Sequence, residues 1–151
     1  MGALKAQNVM INVVTQNSGV VKIGETVLFE VSIMNTSTFR ATPAYTLKPQ
    51  ISFPNKIVEV METGHILPSG WTILTNGDGV VTLSNGKDVI SENDGRTILI
   101  AIKGKTISGP ATIIGDLKFS NGIAPGSLMG KALPDDDYSD NSASSTVTVI
   151  K

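Results

Sequence analysis

The sequence predicts an all-β protein: a two-sheet, antiparallel β-sandwich of about seven to nine strands. Three observations carry this. Apolar and polar residues alternate with a period of two along most of the chain, and no long 3.6-residue pattern interrupts them. Turn signals built on Gly, Asn and Pro recur between the alternating runs. The polar positions are filled by Ser, Thr, Asn and Gly, which are poor helix formers and suit strands and turns.

The strands follow in order. "NVMINVVTQ" (Asn8 to Gln16) sets Val9, Ile11 and Val13 on one face. "ETVLFEVSIMN" is the clearest run: Val27, Phe29, Val31 and Ile33 point to the core, and Glu30, Ser32 and Asn35 are expected on the outer face. "AYTLKPQISF" (Ala44 to Phe53) contains Pro49, whose missing N–H predicts an edge strand or a bulge. "KIVEVM" (Lys56 to Met61), "WTILTN" (Trp71 to Asn76) and "VVTLSN" (Val80 to Asn85) come next. The "NGDG" between the last two suits the positive φ angles of a tight hairpin, and "SNGKD" and "NDG" mark turns around Gly86 and Gly95.

"TILIAIKG" (Thr97 to Gly104) places Ile98, Ile100 and Ile102 on one face, "ATIIGDLKF" (Ala111 to Phe119) contributes Ile113, and "ASSTVTVI" (Ala143 to Ile150) contributes Val147 and Val149. Between these last two strands, Ser120 to Asn141 holds Gly, Pro and three consecutive Asp with few apolar anchors, and is expected to be a functional or mobile loop.

Totals narrow the function classes. The 151 residues include no cysteine, so disulfides and thiolate chemistry are excluded. Twelve Lys+Arg against 13 Asp+Glu, with no basic run, lack the footprint of a nucleic-acid binder. No apolar run approaches the ~18 residues of a membrane span, so no membrane insertion is expected. Residues 1–7 read either as the tail of a secretory signal peptide, with a cut near Gln7, or as a cloning scar; residues 8–151 read as one domain.

"IGETVLFEVSIMNTST" resembles the opening of the DUF11-type Ig-like repeat of bacterial and archaeal surface proteins, through Gly24, Glu25, Thr26 and Val27 and then Asn35 and Thr36. "LPSGW" (Leu67 to Trp71) is similar to that family's mid-domain turn, and "DNSASSTVTV" (Asp140 to Val149) to its closing strand. The chain departs from the pattern at "ETGHI" and in its longer loop before the last strand. The resemblance implies an Ig-like sandwich that serves as a structural or adhesive module of a secreted or cell-surface protein. Its partners would be neighbouring domains of the same protein, or an extracellular protein or glycan. No catalytic residue is implied.

The residues themselves leave several sites to weigh. His65 is the single histidine and has no second His, Cys or nucleophile elbow near it in sequence, so an exposed loop histidine is the simpler reading. Glu30 and Glu59 fall on outward strand positions rather than in a cleft fit for glycoside hydrolysis. The chain therefore reads as a non-enzyme with no organic cofactor. Asp135, Asp137 and Asp140 alternate at a spacing suited to a weak calcium site, against the plainer reading of a solvated acidic loop. Trp71 and Tyr138 would stack on a sugar ring in a carbohydrate-binding module, whereas a lone Trp at a strand start more commonly plugs a core. Lys22, Lys56 and Lys103 are the candidate donors of an internal isopeptide bond, with plain surface lysines as the alternative. A third reading is a filament subunit whose first strand adds to a neighbour's sheet.

Overall fold

The computed structural model describes residues 9–15, 19–37, 41–119 and 141–151. Among them are ten strands and no helix: β1 (Val9–Thr15), β2 (Val20–Lys22), β3 (Thr26–Asn35), β4 (Leu47–Ser52), β5 (Val58–Val60), β6 (Thr72–Gly77), β7 (Val80–Ser84), β8 (Gly95–Gly104), β9 (Ser108–Phe119) and β10 (Ser142–Ile150). They form two sheets, one of four strands in the order β1-β3-β8-β5 and one of six in the order β2-β10-β9-β4-β7-β6. The protein is an Ig-like β-sandwich.

Each of the nine alternating segments contributes a strand, and all but the exposed β6 bury an apolar face. In β3 and β8, the residues Phe29, Val31, Ile33, Ile98, Ile100 and Ile102 are at most 1% exposed, and they pair across the ladder as Phe29↔Ile100 and Val31↔Ile98. From the facing sheet come Leu47, Ile51, Val81, Leu83, Ile113, Val147 and Val149. Val27 lies half-buried at the margin of this core. Phe29 and Phe53 meet edge to face across the layers, with centroids 5.3 Å apart.

Side chains of β1 fill a notch between the sheets. An added Cβ on Gly115 of β9 would lie 2.6 Å from Val13 Cγ1 and 3.3 Å from Ile11 Cδ1, so only glycine lets the first strand seat there.

Several expectations need correction. A tenth strand, β2, escaped the periodicity because three residues show no alternation; it is defined by pairing with β10, Val21 opposite Val149. That pair is parallel, so the six-stranded sheet is mixed rather than wholly antiparallel. Pro49 sits in neither an edge nor a bulge. Its strand lies between β9 and β7, with an unbroken register from Leu47↔Phe119 to Ser52↔Ile114. The β7 ladder begins only at Gln50. Leu47, of the same parity as Pro49, turns its N–H and C=O to Asn85 on the β7 side. Pro49, which has no N–H to give, thus falls in a gap between the β7 ladder and the Leu47–Asn85 bonds, while its pairing with β9 runs on unbroken. Asn35, expected on the outer face, shares the parity of Phe29 and Ile33 and is fully buried.

Candidate interaction site at the open side of the sandwich

A two-sheet sandwich has four edge strands, each offering unpaired backbone groups that must be managed. On β1, the side-chain Oδ1 of Asn12 accepts the Val13 N–H at 3.0 Å. The three residues of β2 run on into Ile23 to Glu25, which are stitched to Gly104 at the end of β8 by Gly24 N–H to Gly104 O (2.9 Å) and Gly104 N–H to Glu25 O (3.1 Å). The three residues of β5 are extended by Met61 N–H to Ala101 O and by a pair of bonds between Ile66 and Leu99, all 2.9 Å. The remaining edge, β6, is six residues long, contains no Pro or Lys, and forms its ladder with β7 alone. All of its residues except Ile73 are exposed, and a bulge between Ile73 and Thr75 leaves Leu74 48% exposed.

Beside the C-terminal end of β6 lies a cleft of about 280 Å³, between β5 and the β6–β7 turn. The turn is the one "NGDG" predicts: Asp78 and Gly79 have φ of 55° and 80°, as a two-residue hairpin of the type I′ kind requires. A Cβ on Gly79 would come within 2.7 Å of Phe53 O and Asn55 Cβ, so glycine lets the turn press against the Asn55 segment. Phe53 N–H donates to Gly79 O at 2.8 Å and fixes that contact.

Three carboxylates line the cleft, on Glu59, Glu62 and Asp78, against one ammonium, on Lys105. Lys105 Nζ donates to Asn55 O at 2.7 Å, and Asn76 Nδ2 donates to Met61 O at 3.1 Å across the gap between the two sheets. Among the described residues the ion pairs are those of Arg96 with Asp88 and Asp94, so the three cleft carboxylates have no cationic partner. What the described residues here can offer is hydrogen bonding along an edge and attraction of positive charge.

Of the described residues singled out by the sequence, Glu59 lines this cleft and the others lie elsewhere. Trp71 is 5% exposed and packs into the core, so its ring offers no face to a sugar. Its Nε1–H donates to Asp88 Oδ2 at 2.7 Å. Asp88 in turn receives Arg96 Nε (2.8 Å) and Nη2 (3.2 Å), and the remaining guanidinium hydrogens go to Asp94 Oδ2, Gly95 O and Val89 O. All five donors of Arg96 are used. The hydrogen bond from Arg96, then that from Gly95 N–H, holds the Asp94 carboxyl below its ordinary value of 3.8, and the bond to Asp88 raises the guanidinium's already high pKa.

Asn85, wholly buried, completes this end of the molecule. Its Oδ1 accepts Thr46 N–H (3.1 Å) and Leu47 N–H (3.0 Å), and its Nδ2 donates to Pro43 O (2.9 Å) and Asp88 O (2.8 Å). Asn35 Nδ2 reaches Ile90 O (3.1 Å) and Ser91 O (3.3 Å) in the same loop.

His65 is half-buried rather than free in a loop. Ala101 N–H donates to its Nδ1 at 3.0 Å, which places the ring proton on Nε2, and that proton is donated to Met61 O at 2.7 Å. The imidazole stands in for a strand residue between the two stretches bonded to β8. Glu30 points outward and half-buried, Lys22 and Lys56 are exposed, and Lys103 is half-buried opposite Glu59. Asp135, Asp137, Tyr138 and Asp140 lie outside the described residues, as do residues 1–8. Sequence reasoning placed Glu59 on an outer face but missed its company with Glu62 and Asp78. The signal within reach was the "NGDG" turn, which puts Asp78 at a hairpin tip.

No family model matches the chain, and no curated protein does. Solved structures share its fold. A CARDB domain from Pyrococcus furiosus, determined in complex with di-metal ions, superposes with a TM-score of 0.57 at 10% identity, over 96% of this chain and 90% of that one. A cohesin module of a family 33 glycoside hydrolase from Clostridium perfringens gives 0.57 at 14% identity, covering 96% and 97%. A cohesin from Acetivibrio cellulolyticus, solved in complex with a dockerin, gives 0.56 at 15% identity, covering 94% and 100%. Identities this low speak for the fold.

Proposed function

We propose that the chain is a non-catalytic β-sandwich module of a secreted or cell-surface protein, of the kind the DUF11-type resemblance implies, and that it works by binding another protein. The observation that carries this reading is the open side. Of the two longer edge strands, β1 and β6, only β6 adjoins the cleft, and the carboxylates of Glu59, Glu62 and Asp78, which form no ion pair among the described residues, gather beside its end. Cohesins, whose sandwich this chain shares, include one solved with a dockerin bound, so the architecture supports protein recognition without chemistry. A glycan reading loses Trp71 as a stacking platform and rests on Tyr138.

A photo-cross-linking residue placed at Leu74, with one at Thr112 as control, tests the proposal on intact cells that make the full-length parent protein. Both positions are exposed, one on the β6 edge and one on β9. The expected result is a discrete protein adduct from the Leu74 position alone, in material that added protease removes from the cell surface. Equal adducts from both positions, none from either, or a chain shielded from protease overturns it.

A further inference from the structure

We infer that the edge of β6 and its adjoining cleft receive an extended segment of the partner protein that carries a basic residue at every second position; this rests on the interaction-module reading above. The backbone argument comes first. An uncovered edge strand is a template for another strand; β2 and β5 are three residues each, β1 has its Val13 N–H taken by Asn12, and of the two longer edges only β6 adjoins the acidic cleft. Six residues of β6 make a ladder about 20 Å long at ~3.3 Å per residue. The β6 bulge turns Leu74 outward without closing the edge, and neither Pro nor Lys guards it.

Charge then selects the occupant. Side chains of an added strand alternate between two faces, so every second residue of the incoming segment turns to the side of the cleft. There it meets Glu59, Glu62 and Asp78, all exposed and without an ion pair among the described residues; the cations nearby are Lys103, across the ladder from Glu59, and Lys105, whose ammonium is already held by Asn55 O. Lysine or arginine at those alternate positions satisfies the carboxylates, and an acidic segment is repelled. Asn76, now bridging to Met61 O, is the side chain the incoming strand displaces at the cleft end.

The probe is a short synthetic peptide of alternating threonine and lysine, titrated into the isotopically labelled full chain and followed by amide chemical shifts. Two control peptides accompany it, one with glutamate for lysine and one with a central proline that blocks the ladder. Shifts should gather on residues 72–77 and at Glu59 and Glu62. Binding should weaken by about tenfold or more for the glutamate peptide, and likewise for the protein variant Glu59→Gln/Glu62→Gln/Asp78→Asn. Proline should abolish the β6 shifts while the variant's free spectrum stays folded.

Shifts centred instead on the outer face of β3 and β8, at Leu28 and Leu99, overturn the edge assignment. Equal binding of the lysine and glutamate peptides overturns the charge rule, and silence with every peptide overturns the whole inference. In each of these cases a positive Leu74 cross-link leaves the module reading standing. A negative one removes both.

Discussion

The two ends of the polar inventory behave in opposite ways. Around Asn35, Asn85, Asp88 and Arg96, each functional group is spent inside the molecule: four bonds on one amide, five on one guanidinium, and a Trp indole tied to the same carboxylate. At the open side, three carboxylates form no ion pair among the described residues, and the six-residue edge of β6 makes its ladder with β7 alone. The first set holds loops at fixed positions, because breaking a buried bond strands a desolvated partner. The second can be changed with little cost to folding. The difference separates residues that make the sandwich from residues left over for a partner.

The largest expected break in that contrast is Asn85→Ala. It strands the N–H groups of Thr46 and Leu47 and the carbonyls of Pro43 and Asp88, and should cost about 3–4 kcal/mol in urea unfolding. Gly115→Ala should cost about 1–3 kcal/mol, because its Cβ drives into Val13 and forces β1 off the core. Asp88→Asn weakens the bidentate grip on Arg96 and should cost about 2 kcal/mol, with Trp71 fluorescence reporting the altered indole contact.

Thr42→Val tests the rule from the other direction. Thr42 is wholly buried and its hydroxyl has no partner among the described residues, so replacing it with a methyl should stabilise by about 1 kcal/mol. Smallest of the mutational effects, Glu59→Gln/Glu62→Gln/Asp78→Asn should stay within about 0.5 kcal/mol of the parent, since these side chains are exposed and unpaired. A loss of several kcal/mol there would erase the distinction between the two regions.

Acid offers a last comparison. The folded-state pKa of Asp94 is depressed by its hydrogen bonds to Arg96 and Gly95. Its contribution is therefore present above the unfolded carboxylate value of 3.8 and is lost as pH falls through the lower folded value. In Asp94→Asn, the decline of the thermal midpoint below that value should be shallower than in the parent, by a small margin because the group is exposed and solvent screens it.

Alternation and turn signals determined the all-β class, nine of the strands and the buried parity of β3 and β8, because a strand buries its apolar parity whatever it packs against; Phe29 and Ile100 illustrate this. Turn chemistry was legible too, in the positive φ of Asp78 and Gly79, since local sterics set it. Tertiary structure decided everything that depends on who sits beside whom. The strand β2 exists because β10 offers it a partner, and Pro49 is tolerated centrally because the β7 ladder ends beside it. His65 gains a structural post from an N–H on a distant strand. The open side belongs to the same class: Glu59, Glu62 and Asp78 come from separate stretches of chain, and only the stacking of two sheets brings their charges to one cleft beside an uncovered edge.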